Sequence, residues 1–168
     1  LISTFIMLNL FSCQSTRELP TVANVDLEKY TGKWYEIARL PNSFEQGLKC
    51  TSAEYQLKDN GKLKVINRGH QIENPQQTAS AKGFARIPDK SKPGKLKVYF
   101  FWPFGGDYYI IDLDKEYQYV LVGSPSRKYL WILARGKELD QQIYDKLVDR
   151  ANELGFDTEK LIKVKQDC

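Results

Sequence analysis

The chain has 168 residues, 42% of them hydrophobic and 12% aromatic, which suits one domain with a sizeable core. Its net charge of +4 is spread as lysines among Asp and Glu, without a block of like charge. That pattern lacks the basic stripe nucleic-acid binding needs, so no nucleic-acid partner is expected.

Residues 1–13 form an apolar run of signal-peptide length, too short to span a bilayer. Within it, Leu10-Phe11-Ser12-Cys13 resembles a bacterial lipobox, in which Cys13 becomes the lipidated first residue. The segment thus reads as a truncated lipoprotein signal; the alternative is an N-terminal element of the fold. Gln14 after the cysteine resembles the outer-membrane sorting pattern. It points to a lipid-anchored protein on the periplasmic face of the bacterial outer membrane. Acyl chains contribute about 0.8 kcal/mol per buried CH₂, so two or more anchor stably. Residues 14–24 read as a polar tether and 25–168 as the folded domain. Cys50 and Cys168 remain, either as one disulfide of an exported chain or as two free thiols. With the single His70 they make no zinc ligand set.

Strands are predicted over 34–40, 51–58, 62–69, 78–86, 95–101, 108–113, 117–123 and 129–135. Asp59-Asn60-Gly61 is a hairpin signal, and Pro103-Phe104-Gly105-Gly106 punctuates the chain. Alternation puts Leu96, Val98 and Phe100 on one face. It groups Ala53, Tyr55 and Leu57, and likewise Val65 and Asn67. If Trp131 faces inward, Tyr129, Leu133 and Arg135 do too. Arg135 is then placed to cover the ring of Trp34, which follows Gly32 at the mouth of the first strand. Leu139, Ile143, Leu147, Ala151 and Leu154 recur with helical period, capped by Asp140 and stopped by Gly155. A short strand over 161–164 ends the chain. Eight short antiparallel strands escape their edge problem by closing. The expected fold is all-β: an eight-stranded up-and-down barrel with one C-terminal helix packed outside.

Three segments in this order resemble the signatures of the lipocalin family. They are Gly32-Lys33-Trp34, the turn Asp112-Leu113-Asp114-Lys115-Glu116-Tyr117, and Arg135 just before the helix. The phrases 32–39, 60–67 and 130–135 are similar to bacterial outer-membrane lipocalins and their animal apolipoprotein relative. The resemblance implies binding, storage or transport of small hydrophobic ligands, fatty acids or lysophospholipids, in the barrel cavity. It implies ligand contacts at Tyr55, Asn67 and Trp131, and a disulfide between Cys50 and Cys168. Val65, Val98 and Phe100 join the candidate ligand set by alternation, core filling being the alternative for each. Gly32, Trp34 and Arg135 read as the clasp of the closed end. Phe101, Trp102 and Phe104 form an aromatic loop that could rim the mouth or touch membrane. No cofactor is expected, and a monomer or homodimer fits. Catalysis is not expected, since His70 stands alone and no serine sits in a nucleophile elbow. The competing readings are a lipidated envelope scaffold with a filled barrel and a lipocalin-type isomerase, which needs a free inward thiol.

Overall fold

A computed structural model describes residues 18–168 of the chain. The leader 1–13 with Cys13, and residues 14–17 of the tether, lie outside the described residues. One helical turn, α1 (Leu27–Tyr30), precedes β1 (Gly32–Arg39), β2 (Leu48–Leu57), β3 (Leu63–Gln71) and β4 (Thr78–Arg86). Then follow β5 (Lys95–Phe101), β6 (Phe104–Leu113), β7 (Tyr119–Gly123) and β8 (Leu130–Ala134). Helix α2 (Gln141–Glu153), a 3₁₀ turn (Thr158–Lys160) and β9 (Ile162–Lys163) complete the chain.

Each strand from β2 to β8 pairs antiparallel with the next, β8 pairs with β1, and β1 pairs with β2. The ring is therefore closed, an eight-stranded antiparallel barrel with a C-terminal helix. Closure is tightest at one end. β1 meets β2 only from Gly32 to Tyr35. Above that point the C-terminal tail takes β2's place beside β1. There β9 pairs with Ala38 and Arg39, and the Val164 N–H donates to the Ile37 carbonyl. The Gln166 amide donates to the Glu36 and Thr51 carbonyls at 2.8 and 2.9 Å, bridging the two parted strands. A Cys50–Cys168 disulfide fastens this tail.

Two cores follow from strand alternation. Trp34, Tyr55, Leu63, Val65, Leu96, Ile110 and Val122 point into the barrel. Ile111, Leu121 and Ile132 point outward and are covered by Leu147 and Ala151 of α2 and by Phe156. Strands β7 and β8 are buried on both faces, which is why their sequences are nearly continuous apolar runs. The Asp140 carboxylate accepts from the Gln142 and Ile143 N–H groups and starts α2. Gly123 lets this layer approach closely, since a Cβ there would lie 2.6 Å from the Phe156 ring.

Three details differ from the sequence reading. A second helix, α1, exists; one turn capped by Asp26 is too short to show a period. The stretch read as tether is packed from Leu19 onward, with Leu19 buried and the Val22 N–H donating to the Ile110 carbonyl. Finally, β6 begins at Phe104: the two glycines read as punctuation are inside the strand. Gly105 lies across from Tyr99, whose ring occupies the space of a Cβ.

Candidate functional site

The closed end is built on Trp34. Its ring is fully buried and its indole N–H donates to the Tyr30 carbonyl at 2.9 Å. The Arg135 guanidinium lies 3.9 Å from the ring centroid. It donates to the carbonyls of Lys29, Lys33 and Tyr117 at 2.7, 2.9 and 3.1 Å, joining α1, β1 and the β6–β7 turn. Gly32 sits at φ +90, and a Cβ there would stand 3.3 Å from this guanidinium.

Above the clasp is a floor of tyrosines. Tyr30 and Tyr55 both hydrogen-bond the Tyr108 hydroxyl, at 2.8 and 2.9 Å. Burial raises Tyr30 and Tyr108 well above the ordinary phenol and Tyr55 to about 12, so the three stay neutral. Tyr55 and Val65 retain almost no exposed surface, 3% and 1%, and belong to this floor.

The barrel opens above it. Asn67 lies across from Ala53 on β2 and Ala81 on β4, so the three share the inner face. Ala81 is nevertheless exposed, and Ala53 and Asn67 are half-buried. The whole inner face of β4 is small: Ala79, Ala81, Gly83 and Ala85. The buried Asn67 Oδ1 has no hydrogen-bond partner among the described residues. Phe100 packs against Gly83, where a Cβ would stand 2.9 Å from its ring. Val98 is opposite Ala85, and both Val98 and Phe100 border the inner core.

Near the mouth, the structure adds a charged cluster that alternation misses. A bulge between Glu36 and Ala38 sets Arg39 opposite Trp131, so Glu36 and Arg39 both turn inward despite opposite parity. Arg39 donates to Glu36 Oε1 at 2.7 Å and to the carbonyls of Glu45 and Leu48 at 2.9 and 3.0 Å. Glu45, on the β1–β2 loop, accepts from Trp131 Nε1 at 3.0 Å and from the Asn42 amide at 2.6 Å. Burial, and then the Glu45 charge, push Glu36 up to about 8, against the opposing pull of Arg39. Glu36 thus holds a proton at neutral pH, and its contact with Arg39 is a hydrogen bond to a neutral carboxyl. The ionic partner of Arg39 is Glu45, 4.0 Å from its Nε. Phe44 on the same loop lies 5.7 and 6.3 Å from the Tyr129 and Trp131 rings. The sequence signal for this cluster was a glutamate two residues after an inward tryptophan. The signal for the open track was the run of small residues at alternate positions of β4.

A model of the lipocalin-like domain matches residues 25–166. The chain belongs to the lipocalin family. Its relatives include the outer membrane lipoprotein Blc of Vibrio cholerae, 43% identical over 86% of this chain and 85% of that protein. Blc of Escherichia coli K12 is 39% identical over 98% and 92%. Apolipoprotein D of Macaca fascicularis is 34% identical over 88% and 80%. Among solved structures, insecticyanin of Manduca sexta superposes with a TM-score of 0.70 at 25% identity, covering 88% of this chain and 84% of that one. The family signature segments of this chain lie at its closed end. In this lipocalin they hold the clasp, separated from the open lumen by the tyrosine floor.

Proposed function

We propose that this lipocalin binds a small hydrophobic ligand of the fatty-acid or lysophospholipid class in the upper barrel, as a storage or transport protein. The observation that carries the reading is Ala81. Ala81 faces inward across from Asn67 and stays exposed above the last β4–β5 pair, Phe84–Tyr99, which supports an upper barrel that is open and unfilled there. The small residues of β4 give an acyl chain a track between Asn67, Phe100 and Trp131. Tyr55 and Val65 bound it below and Val98 at the side. The unpaired Asn67 Oδ1 offers one hydrogen-bond acceptor. Burial at about 25 cal/mol per Å² supports about micromolar affinity for a long chain. The relatives' name, outer membrane lipoprotein, supports a lipid anchor at Cys13 and a place at the outer membrane; the periplasmic face rests on the sorting pattern at Gln14 alone. No catalytic step is assigned: Cys50 and Cys168 are bonded to each other, so neither provides the thiolate an isomerase needs.

The test is titration of delipidated protein with a long-chain fatty acid and with a lysophospholipid, read by tryptophan fluorescence. Saturable quenching is expected, with most of the signal lost in Trp131→Phe. No saturable response to either lipid would refute the reading and favour an envelope scaffold.

A further inference from the structure

The surface of this barrel is polarised along its axis. The described residues expose eight large apolar side chains, and seven belong to the mouth. Phe101, Trp102 and Phe104 are exposed at 80%, 70% and 80% on the β5–β6 hairpin. Phe44 and Tyr129 stand on the β1–β2 and β7–β8 loops, and Ile72 follows β3. Ile162 pairs with Arg39 at the upper end of β1. Leu57, at the lower end of β2, is the exception. Isolated exposed apolar residues need no explanation, but seven gathered at one end of the barrel mark a contact surface.

We propose that the mouth docks on a lipid bilayer, with the 101–104 hairpin inserted at the boundary between headgroups and acyl chains. Three features select a bilayer over a folded partner. First, residues 100–106 carry no charge, and the Trp102 indole is their one polar side-chain group, the composition that partitions into a membrane interface. Second, the hairpin is a convex tip, whose two strands are joined by Trp102 and Pro103 alone. A fluid surface closes around such a tip, whereas a protein would need a matching pit. Third, cations stand behind the apolar rim. A groove of about 970 Å³ beside the mouth is lined by Ile72 and Ile162 together with Lys49, Lys163 and Lys165. Its one acid, Asp167, is paired with Lys49 at 2.9 Å. Lys128 adds a further cation on the β7–β8 loop. Apolar tips in front of lysines match the order of layers in an anionic membrane, acyl boundary first and phosphate outside it. The hairpin is braced for this by ring contacts outside the barrel: Trp102 lies 5.5 Å from Tyr99, which stacks on Phe84 at 4.9 Å. Docking mouth-down lets an acyl chain pass between membrane and lumen without crossing water, yet the surface is independent of what the lumen holds.

Residues 18–168 contain both cores and the disulfide, so they fold without the leader and permit a test free of any N-terminal anchor. This chain is mixed with phosphatidylcholine vesicles, with and without phosphatidylglycerol, and sedimented. Binding to the anionic vesicles with a blue shift of Trp102 emission is expected, the shift disappearing in Trp102→Phe. In the double variant Phe101→Ser, Phe104→Ser binding should fall about tenfold or more. Its melting temperature should hold, because neither ring supports a core. The same variant, titrated with fatty acid without vesicles, should keep the Trp131 response. Loss of that response in both proteins while vesicle binding persists would refute the ligand reading and leave the docking intact. Equal vesicle binding by both proteins, no binding by either, or dimers that the double variant dissociates would overturn the docking.

Discussion

Replacing Glu36 by Gln isolates the energetics of the charged cluster. Glu36 is buried inside the barrel with its pKa raised to about 8 from an ordinary 4.5. Between those values the folded chain holds a proton that the unfolded chain has released. Stability therefore falls as pH rises through this window and levels off above about 8. Each tenfold change in proton affinity is about 1.4 kcal/mol, so the full window sets a ceiling of about 5 kcal/mol. For a domain of this size that corresponds to about 10–20 °C in melting temperature. Glutamine reproduces the protonated form: its carbonyl accepts from Arg39 and its amide can donate towards Glu45. The carboxylates Glu54 and Asp167, held low by Arg68 and by Lys49, act below this window and do not obscure it. Melting followed at pH 5, 7 and 9 should show wild type losing stability with rising pH. Glu36→Gln should stay nearly level and be the more stable protein at pH 9. Parallel pH profiles for the two proteins would refute the assignment of the proton to Glu36.

Trp34→Ala should cost about 3–5 kcal/mol in chemical denaturation, as deletion of a fully buried aromatic does. Arg135→Ala should cost less, about 2 kcal/mol, through its three carbonyl contacts and the ring it covers. Both should leave the order of preference among fatty acids unchanged, because the floor of Tyr30, Tyr55 and Tyr108 lies between clasp and lumen; altered preference with unchanged stability would place them in the ligand site. The double variant Cys50→Ser, Cys168→Ser should lose about 3–5 kcal/mol, since the bond closes a separation of 118 residues. It should also show faster exchange of the Val164 backbone amide and the Gln166 side-chain amide, which seal the gap between β1 and β2. Unchanged exchange there would mean that the tail holds without the bond.

Strand alternation, turn residues and the spacing of apolar positions were enough to read the barrel, its helix and its closed end. Val98 and Phe100 also took their inner face from period two alone. The sequence could not show which inward positions are filled. Tyr55 and Val65 have the same parity as Asn67 and Ala53, yet they are floor and the latter are lumen. That difference depends on Tyr30 and Tyr108, which arrive from segments far away in the chain. Nor could it place Arg39, because a single bulge reverses parity locally and nothing in Glu36-Ile37-Ala38-Arg39 announces it. Local composition therefore determined the elements, the family signatures and the cysteines available for a bond. Tertiary structure decided where the barrel is open, which carboxyl keeps its proton and which end carries the exposed rings. Those properties depend on what packs across the barrel, and short-range periodicity along one strand carries no record of it.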